Sequence, residues 1–208
     1  MRSRTTKQHE KYWVERKIDW KASYFDTFDH PHRQLIINEL KKIKFGSLLE
    51  VGCASGPNLH RIRQEFPNVQ LGGVDISPDA IEAARRLLPP NTILDVQKAD
   101  QLMFGDKSVD VILADMALIY LNKKKLKECL RRMNLIGRKQ IILSEFHSES
   151  LCKRLGLWWA AGYYAYNYRK ILEKMGFYDI QFKKMTEQDW PGGEPQKTYA
   201  NIFIARKV

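Results

Sequence analysis

The chain has 208 residues, of which 44% are hydrophobic and 11% aromatic, which suits one well-cored globular domain. No apolar run approaches the about 20 residues of a membrane helix, and the basic N-terminus lacks the apolar core of a secretory signal, so we expect a cytoplasmic protein without a membrane span. The net charge of +11 is concentrated in residues 1–45 and 151–208; such a field attracts RNA or other anions, although solvated lysine-rich faces give the same composition.

The beginning of the chain predicts a helical extension. A polar stretch with scattered aromatic residues is followed, over residues 30–45, by apolar residues at helical spacing. We therefore treat residues 1–45 as an N-terminal helical extension or lid, and residues 46–208 as the main part of a single domain.

Short strands alternate with amphipathic helices in the middle of the chain. Near-continuous apolar character is typical of parallel strands covered on both faces, and the segments between the strands show helical spacing of apolar residues. This alternation predicts an α/β fold that is Rossmann-like and doubly wound. The five predicted strands are residues 47–51, 69–74, 91–96, 109–114 and 139–144.

The end of the chain predicts an antiparallel edge. Residues 157–177 indicate one or two helices that end at Gly176, and residues 178–185 and 197–207 indicate two further strands. No second series of strands and helices follows, so we expect these two strands to complete the same sheet. The prediction is a mostly parallel seven-stranded sheet with an antiparallel C-terminal edge.

Acidic residues and glycines are predicted at the carboxyl ends of the strands, where open α/β sheets bind ligands. Glu50 ends the first strand, and Gly52 and Gly56 free the backbone of the next turn. Asp75 ends the second strand, where an acid accepts hydrogen bonds from ribose hydroxyls, and Asp100 follows the third. The turn lacks the full dinucleotide fingerprint and the chain has no phosphate-binding loop, so a nucleoside-bearing ligand with a cationic group is favoured.

The cysteines do not indicate a metal or disulfide framework. Cys53, Cys129 and Cys152 are an odd number at unrelated spacings. We therefore expect a reduced protein without a metal site. Cys53 lies inside the glycine turn, where we expect it to be packed rather than nucleophilic.

An ordered series of motifs resembles the class I S-adenosylmethionine-dependent methyltransferases. "EVGCASG" matches their first motif with Ala54 in the middle glycine position, and "GVDIS" and "KAD" match the motifs that contact ribose and adenine. "VDVILADMALIYL" and "IILSEF" match the fourth and fifth strands. The resemblance covers about residues 46–150, and it implies a methyltransferase of this fold.

The resemblance also implies S-adenosylmethionine as the cofactor, with S-adenosylhomocysteine as the product. The turn after the first strand would hold the methionine end of the cofactor, Asp75 the ribose and Asp100 the adenine. The cofactor-binding residues implied in this way are Glu50, Gly52, Cys53, Ala54, Gly56, Asp75, Ile76, Ala99, Asp100, Gln101, Asp115 and Met116. The N-terminal aromatic residues would close over the cofactor as a lid.

Four residues at strand ends are candidates for a general base, which a hydroxyl acceptor usually needs. They are Asp115, Tyr120, Glu145 and His147. His147 has the most suitable unperturbed pKa, although a loop histidine is more often only solvated. Asp115 could equally be a helix cap or a cofactor contact.

The sequence leaves several acceptors open. Short segments resemble methylases of pseudaminic acid and other surface-sugar pathways, which implies methyl transfer to an oxygen or nitrogen of a small or sugar-like molecule. The alternatives are an RNA methyltransferase, suggested by the basic flanks, and a catalytically silent S-adenosylmethionine-binding protein. We expect no action on DNA, because the Asn/Asp-Pro-Pro-aromatic motif of amino-methylating enzymes and the Pro-Cys motif of cytosine-C5 enzymes are absent.

Overall fold

In the computed structural model, which describes residues 4–207, seven strands form one sheet in the order β3-β2-β1-β4-β5-β7-β6. Strands β1 to β5 pair in parallel, and β7 is antiparallel to both β5 and β6. The predicted fold is confirmed, including its antiparallel C-terminal edge. The strands are β1 (Ser47–Val51), β2 (Gln70–Asp75), β3 (Ile93–Val96), β4 (Val109–Asp115), β5 (Gly137–Phe146), β6 (Tyr178–Lys184) and β7 (Ala200–Arg206).

Helices cover both faces of the sheet, because its strands are apolar on both sides and need two layers to bury them. One large apolar cluster lies on each face of the sheet. The helices are α1 (Thr6–Glu15), α2 (Trp20–Ser23), α3 (Pro31–Leu40), α4 (Pro57–Glu65), α5 (Pro78–Leu87), α6 (Lys123–Ile136), α7 (Leu151–Ala161), α8 (Tyr168–Lys174) and α9 (Pro195–Thr198). Short 3₁₀ helices span Phe25–Thr27, Ala99–Gln101 and Leu118–Tyr120.

The N-terminal extension is helical, as predicted, but it is divided into three helices. Thr5 caps α1 with a capping box, and Asp19 caps α2 by accepting from two backbone amides. The helix predicted over residues 30–45 ends at Leu40, in α3. Residues 1–3 of the predicted extension lie outside the described residues.

Between residues 4 and 207, no helix combines the length and the apolar character that crossing a membrane would require.

The glycine turn and α4 pack directly on the backbone of β2. A Cβ atom added at Gly73 would lie 2.7 Å from both Cys53 Sγ and Leu59 Cδ1. Cys53 and Leu59 are buried, so neither has open space into which it can move. Gly73 therefore holds the turn close to the sheet.

We expect Gly73→Ala to lower the free energy of unfolding by about 1–3 kcal/mol, because it overpacks a closed interface. Gly156→Ala is the matched control: it lies in the interior of α7, where an added Cβ meets no atom within 4 Å, and alanine should raise stability by roughly 0.5–1 kcal/mol. Urea unfolding of both variants measures this difference. An unchanged stability of Gly73→Ala would contradict the close packing.

Candidate functional site

A cavity of about 370 Å³ lies beyond the carboxyl ends of β1, β2 and β4. Strand β1 pairs with β2 on one side and with β4 on the other, so the cavity lies at the topological switch point of the sheet. Its walls come from the strand ends, from the N-terminal extension and from the β6–β7 loop.

The turn after β1 is held open by backbone conformations that favour glycine. Gly52 and Gly56 have φ angles of 82° and 84°, and Ala54 between them has a φ of 48°. A Cβ atom at Gly52 would lie 2.3 Å from Ala117 Cβ. The glycine at this position therefore lets the turn approach the loop after β4.

Asp75 connects this turn to the end of β2. Its Oδ2 accepts from the backbone amide of Ala54 at 2.9 Å, and its Oδ1 accepts from that of Ser77 at 2.9 Å. Burial raises the pKa of Asp75, and the hydrogen bonds from these two amides oppose that rise. Asp75 faces the cavity, so it both fixes the turn and offers a carboxylate to a ligand.

The far end of the cavity is formed by the 3₁₀ helix after β3. Asp100 lies 3.2 Å from Lys125 through its Oδ2, and its Oδ1 is buried without a partner among the described residues. Ala99 and Gln97 line the same wall. This end therefore has an acceptor available for a ligand's donor.

A buried polar network forms the opposite end. Asn58 Nδ2 donates to Glu50 Oε1 at 2.6 Å and to Asp115 Oδ2 at 2.9 Å. Arg33 Nη1 donates to Asn58 Oδ1 at 2.8 Å and to Asp115 Oδ2 at 3.2 Å. His32 Nε2 lies 3.0 Å from Asp115 Oδ2. The second oxygens of Glu50 and Asp115 are buried without a partner in the described part of the chain.

The two carboxyl groups of this network differ in their proton affinity. Burial raises the pKa of Glu50 to about 8, although the hydrogen bond from Asn58 opposes that rise. Burial would also raise the pKa of Asp115, but the charges of His32 and Arg33 outweigh it and hold that pKa below its ordinary value. Glu50 is therefore protonated at neutral pH in the free protein, whereas Asp115 is ionised.

Aromatic side chains form a large part of the cavity wall. The Trp13 ring of α1 lies 5.4 Å from that of Tyr120 and 6.2 Å from that of Tyr24. Tyr120 in turn lies 5.8 Å from Tyr163. On the other side, Trp190 of the β6–β7 loop stacks on His32 at 4.6 Å with an interplanar angle of 13°. All of these side chains line the cavity.

Most of the site residues expected from the sequence meet at this cavity. Gly56 and Gln101 do not line it: Gly56 caps α4, and Gln101 belongs to a neighbouring shallow depression. The expected residues that line the cavity are Glu50, Gly52, Cys53, Ala54, Asp75, Ile76, Ala99, Asp100, Asp115, Met116 and Tyr120.

The placement of His147 at this cavity is wrong. Side chains alternate across a strand, and Phe146 lines the cavity, so the next side chain points away from it. The His147 ring packs 4.8 Å from Phe203 and 5.8 Å from Phe182, and its Nδ1 accepts from the backbone amide of Tyr168 at 3.2 Å. His147 is therefore not positioned to act as a base at this cavity.

Tyr120 and Glu145 have roles that their sequence positions did not show. Burial raises the pKa of Tyr120 well above its ordinary value, so its phenol is neutral near pH 7 and can donate a hydrogen bond. Glu145 is fully buried, and its Oε1 accepts from the backbone amides of Ala117 and Leu118 at 3.1 and 2.9 Å. Through these two hydrogen bonds, Glu145 holds the loop after β4 in place.

The lining residues that were not singled out from the sequence include His32, Arg33, Asn58 and Trp190. His32 and Arg33 lie at the start of an amphipathic helix. The basic cluster "HPHRQ" at that helix N-terminus is the one sequence feature that could have indicated these two residues. Trp190 lies in a loop that only the folded chain brings to the cavity.

Comparison with known proteins assigns the domain. Residues 48–139 match the family described as "Methyltransferase domain". These residues carry a methyltransferase domain. The predicted resemblance to methyltransferases is confirmed over these residues, and S-adenosylmethionine is the cofactor that this resemblance implies.

Two curated relatives illustrate the similarity of this methyltransferase domain. Trans-aconitate 2-methyltransferase of Afipia carboxidovorans is 25% identical over 85 residues, 39% of this chain and 33% of that protein. Malonyl-[acyl-carrier protein] O-methyltransferase of Anoxybacillus flavithermus is 24% identical over 148 residues, 67% of this chain and 55% of that protein. The chain thus spans about a third to a half of the length of these curated relatives.

A solved structure shows the same fold over nearly the whole chain. Magnesium protoporphyrin IX methyltransferase from Synechocystis PCC 6803, solved with bound S-adenosylhomocysteine, has a TM-score of 0.67 and 14% identity. The match covers 98% of this chain and 99% of that one.

The cavity of this chain fits the cofactor. Its buried acceptors without partners, Glu50 Oε2, Asp115 Oδ1 and Asp100 Oδ1, lie at the two ends. A ligand with an ammonium group at one end and an adenine amino group at the other would satisfy them, because buried acceptors require donors. Across residues 4–207, no cluster of three His, Cys, Asp or Glu side chains could hold a metal ion.

We expect Glu50 and Glu145 each to contribute a fall in the free energy of unfolding of the free protein as pH rises from about 4.5 to about 8. Burial raises the pKa of Glu50 and of Glu145 from 4.5 to about 8, so each contributes stability that is complete below the unfolded value and lost as pH passes the folded value. Each group contributes a slope of up to ~1.4 kcal/mol per pH unit. Urea unfolding at pH 5, 6.5 and 8 measures the slope.

Glu50→Gln and Glu145→Gln should each make that slope shallower. With S-adenosylhomocysteine present, the contribution of Glu50 should change, because Glu50 lines the cavity, whereas that of Glu145 should not. A slope that neither substitution alters would contradict the assignment of the raised pKa values.

Proposed function

We propose that the protein transfers a methyl group from S-adenosylmethionine to an oxygen or nitrogen of a small or sugar-like molecule. The observation that carries this proposal is the cavity, which joins the polar ends suited to the cofactor to a wall of neutral aromatic side chains. Such a wall suits a compact acceptor and excludes water from the reacting atoms.

Each polar end of the cavity would bind a different part of the cofactor. Glu50 and Asp115 would hold the ammonium of the methionine moiety through their free oxygens, while Asp75 would accept from the ribose hydroxyls and Asp100 from the adenine. The bound cofactor supplies a methyl group that is already electrophilic, because it is attached to a sulfonium. The chain's part is to bind, orient and keep the site dry.

On the acceptor side, neither Tyr120 nor Asp115 is a strong base. Tyr120 is a neutral phenol, because burial raises its pKa. Asp115 is a weak base, because His32 and Arg33 help to lower its pKa against the effect of burial. We therefore propose that Tyr120 orients the acceptor by a hydrogen bond, that Asp115 acts as a positioning residue, and that the acceptor atom carries a free lone pair at neutral pH.

Enclosure favours a small acceptor over RNA. The rings of Trp13 and Tyr163 both contact that of Tyr120 at the cavity wall, and His9 Nε2 of α1 lies 2.9 Å from the Gly162 carbonyl. A nucleotide within a long RNA could enter only if this lid moved away. The basic flanks of the chain make RNA the alternative acceptor. The labelling experiment distinguishes RNA from a small molecule.

Two further expectations from the sequence are kept as proposals. We propose that residues 1–45 act as the lid of the domain formed by residues 46–208, because α1 covers the cavity. We also propose a cytoplasmic location, since all three cysteines are free, as is usual in a reducing compartment.

Asp75→Ala should weaken binding of S-adenosylhomocysteine about ten- to a hundredfold, because it removes a charged acceptor worth roughly 1.5–3 kcal/mol. Asp79→Ala is the control, since Asp79 pairs with Lys17 outside the cavity; its affinity should be unchanged. Titration calorimetry measures both. An absence of binding by the unaltered protein at millimolar ligand would overturn the proposal.

Label from radioactive S-adenosylmethionine should move into the small-molecule fraction of a cell extract. Tyr120→Phe should reduce this transfer about tenfold while S-adenosylhomocysteine still binds, because it removes one hydrogen bond to the acceptor. His147→Gln should leave the transfer within about twofold. Label in RNA would favour the alternative substrate, and binding without transfer to any fraction would indicate a silent binding protein.

A further inference from the structure

Helix α1 is joined to the first turn of α6 at two points. The Thr6 hydroxyl accepts from the backbone amide of Asn122, the N-cap of α6, at 2.7 Å. Glu10 Oε1 accepts from the Lys125 ammonium. Thr6 and Glu10 are four residues apart and therefore lie on the same face of α1. This face contacts the start of α6, and Glu10 also lines the cavity.

Lys125 is shared between two carboxylates from different segments of the chain. It pairs with Glu10 of α1, and its Nζ lies 3.2 Å from Oδ2 of Asp100 in the 3₁₀ helix after β3. The side chains of Lys125, Glu10 and Asp100 are 26%, 19% and 12% exposed, so water screens these pairs less than at an open surface. Partial burial would lower the pKa of Lys125, but its hydrogen bonds to the two carboxylates outweigh that effect and raise the pKa. The ammonium is therefore charged at neutral pH.

The position of Lys125 in α6 is unfavourable for a cation unless contacts compensate its charge. Lys123, Lys124 and Lys125 occupy the first turn of the helix, which contains no acidic residue, and the positive end of the helix dipole lies there. Lys123 and Lys124 are exposed, so water screens their charges, whereas Lys125 is partly buried. The pairs with Glu10 and Asp100 offset a charge that formation of the helix alone does not favour.

The ion pair determines which oxygen of Asp100 is left for a ligand. Lys125 engages Oδ2, and Oδ1 is buried without a partner among the described residues. A carboxylate that is held through one oxygen presents the other in a defined direction. A buried acceptor without a partner requires a donor, and the amino group of adenine is such a donor.

We propose that Lys125 is a positioning residue that links α1 to the recognition of the adenine amino group by Asp100. While α1 is in contact with α6, Glu10 holds the ammonium against Asp100, and Oδ1 is kept for the amino group. If α1 moves away, the carboxylate gains freedom to rotate, and the preference of the site for a donor falls. The inference rests on the proposed binding of adenine at Asp100, and it adds that the proposed lid sets the selectivity for the nucleobase.

Titration calorimetry with two ligands tests the proposal. S-inosylhomocysteine is S-adenosylhomocysteine with a carbonyl oxygen in place of the adenine amino group, so it lacks that donor. We expect the unaltered protein to prefer S-adenosylhomocysteine by at least about tenfold, because a buried acceptor is left unpaired by the analogue. Lys125→Met, which keeps an apolar stem, should reduce this preference to about twofold. Lys124→Met is the matched control, since Lys124 is exposed in the same turn of α6, and its preference should be unchanged.

Glu10→Gln is the second variant, and it keeps the test valid if Lys125→Met does not fold. It should also reduce the preference, whereas Glu15→Gln, at an exposed pair with Lys11 on the same helix, should not. The double variant Glu10→Gln/Lys125→Met should lose no more preference than Lys125→Met alone, because Glu10 acts through Lys125.

The outcomes separate this inference from the proposed function. A structural role of Lys125 would lower the affinity for both ligands equally, and an unchanged preference in Lys125→Met would therefore overturn the inference alone. Additive losses from Glu10→Gln and Lys125→Met, or an unaltered protein that binds both ligands equally well, would overturn it too. An unaltered protein that binds neither ligand at millimolar concentration would overturn the proposed function as well.

Discussion

The ionised carboxylate of Asp115, buried at the end of β4, is the charge around which the cavity is organised. A buried charge without partners costs several kcal/mol, and here the compensation comes from three side chains distant in the chain. Arg33 and His32 reach it from α3, and Asn58 reaches it from α4. The N-terminal extension is thus attached to the sheet by buried polar contacts rather than by strand pairing, and its position defines the cavity.

The same enclosure explains why two carboxyl groups that share Asn58 behave differently. Glu50 has no cation in direct contact among the described residues, so burial dominates and raises its pKa to about 8. Asp115 contacts Arg33 and His32 directly, and its pKa is lowered despite equal burial. A cationic ligand that reached both carboxylates would draw Glu50 into the ionised state. Cofactor affinity would then increase with pH up to about 8, the pKa of Glu50 in the free protein, as a consequence of the ligand's own charge.

The sequence predicted what depends on local pattern. Strand positions, the glycine turn and the acids Asp75 and Asp100 follow from apolar runs and from their distance to the strand ends, and the structure places all of them as expected. His147 was misplaced because the direction of a side chain beyond a strand depends on where pairing stops. Strand β5 extends to Phe146 and pairs there with β7, which turns His147 toward Phe203. Arg33 and Trp190 were missed for a related reason: their function depends on contacts with residues that are distant in the chain.

The stacking of Trp190 on His32 has a consequence for the order in which the molecule is completed. His32 lies near the start of the chain and Trp190 near its end, so nearly all of the sequence must be synthesised before the two rings can meet. Until then, Arg33 and His32 of α3 can contact Asp115, but Trp190 does not yet cover them. The central sheet strands can pair before that point, since β1 to β5 precede Trp190 in the chain. On the ribosome, the wall that Trp190 forms is therefore added to the cavity late, after strands β1 to β5 are available to pair.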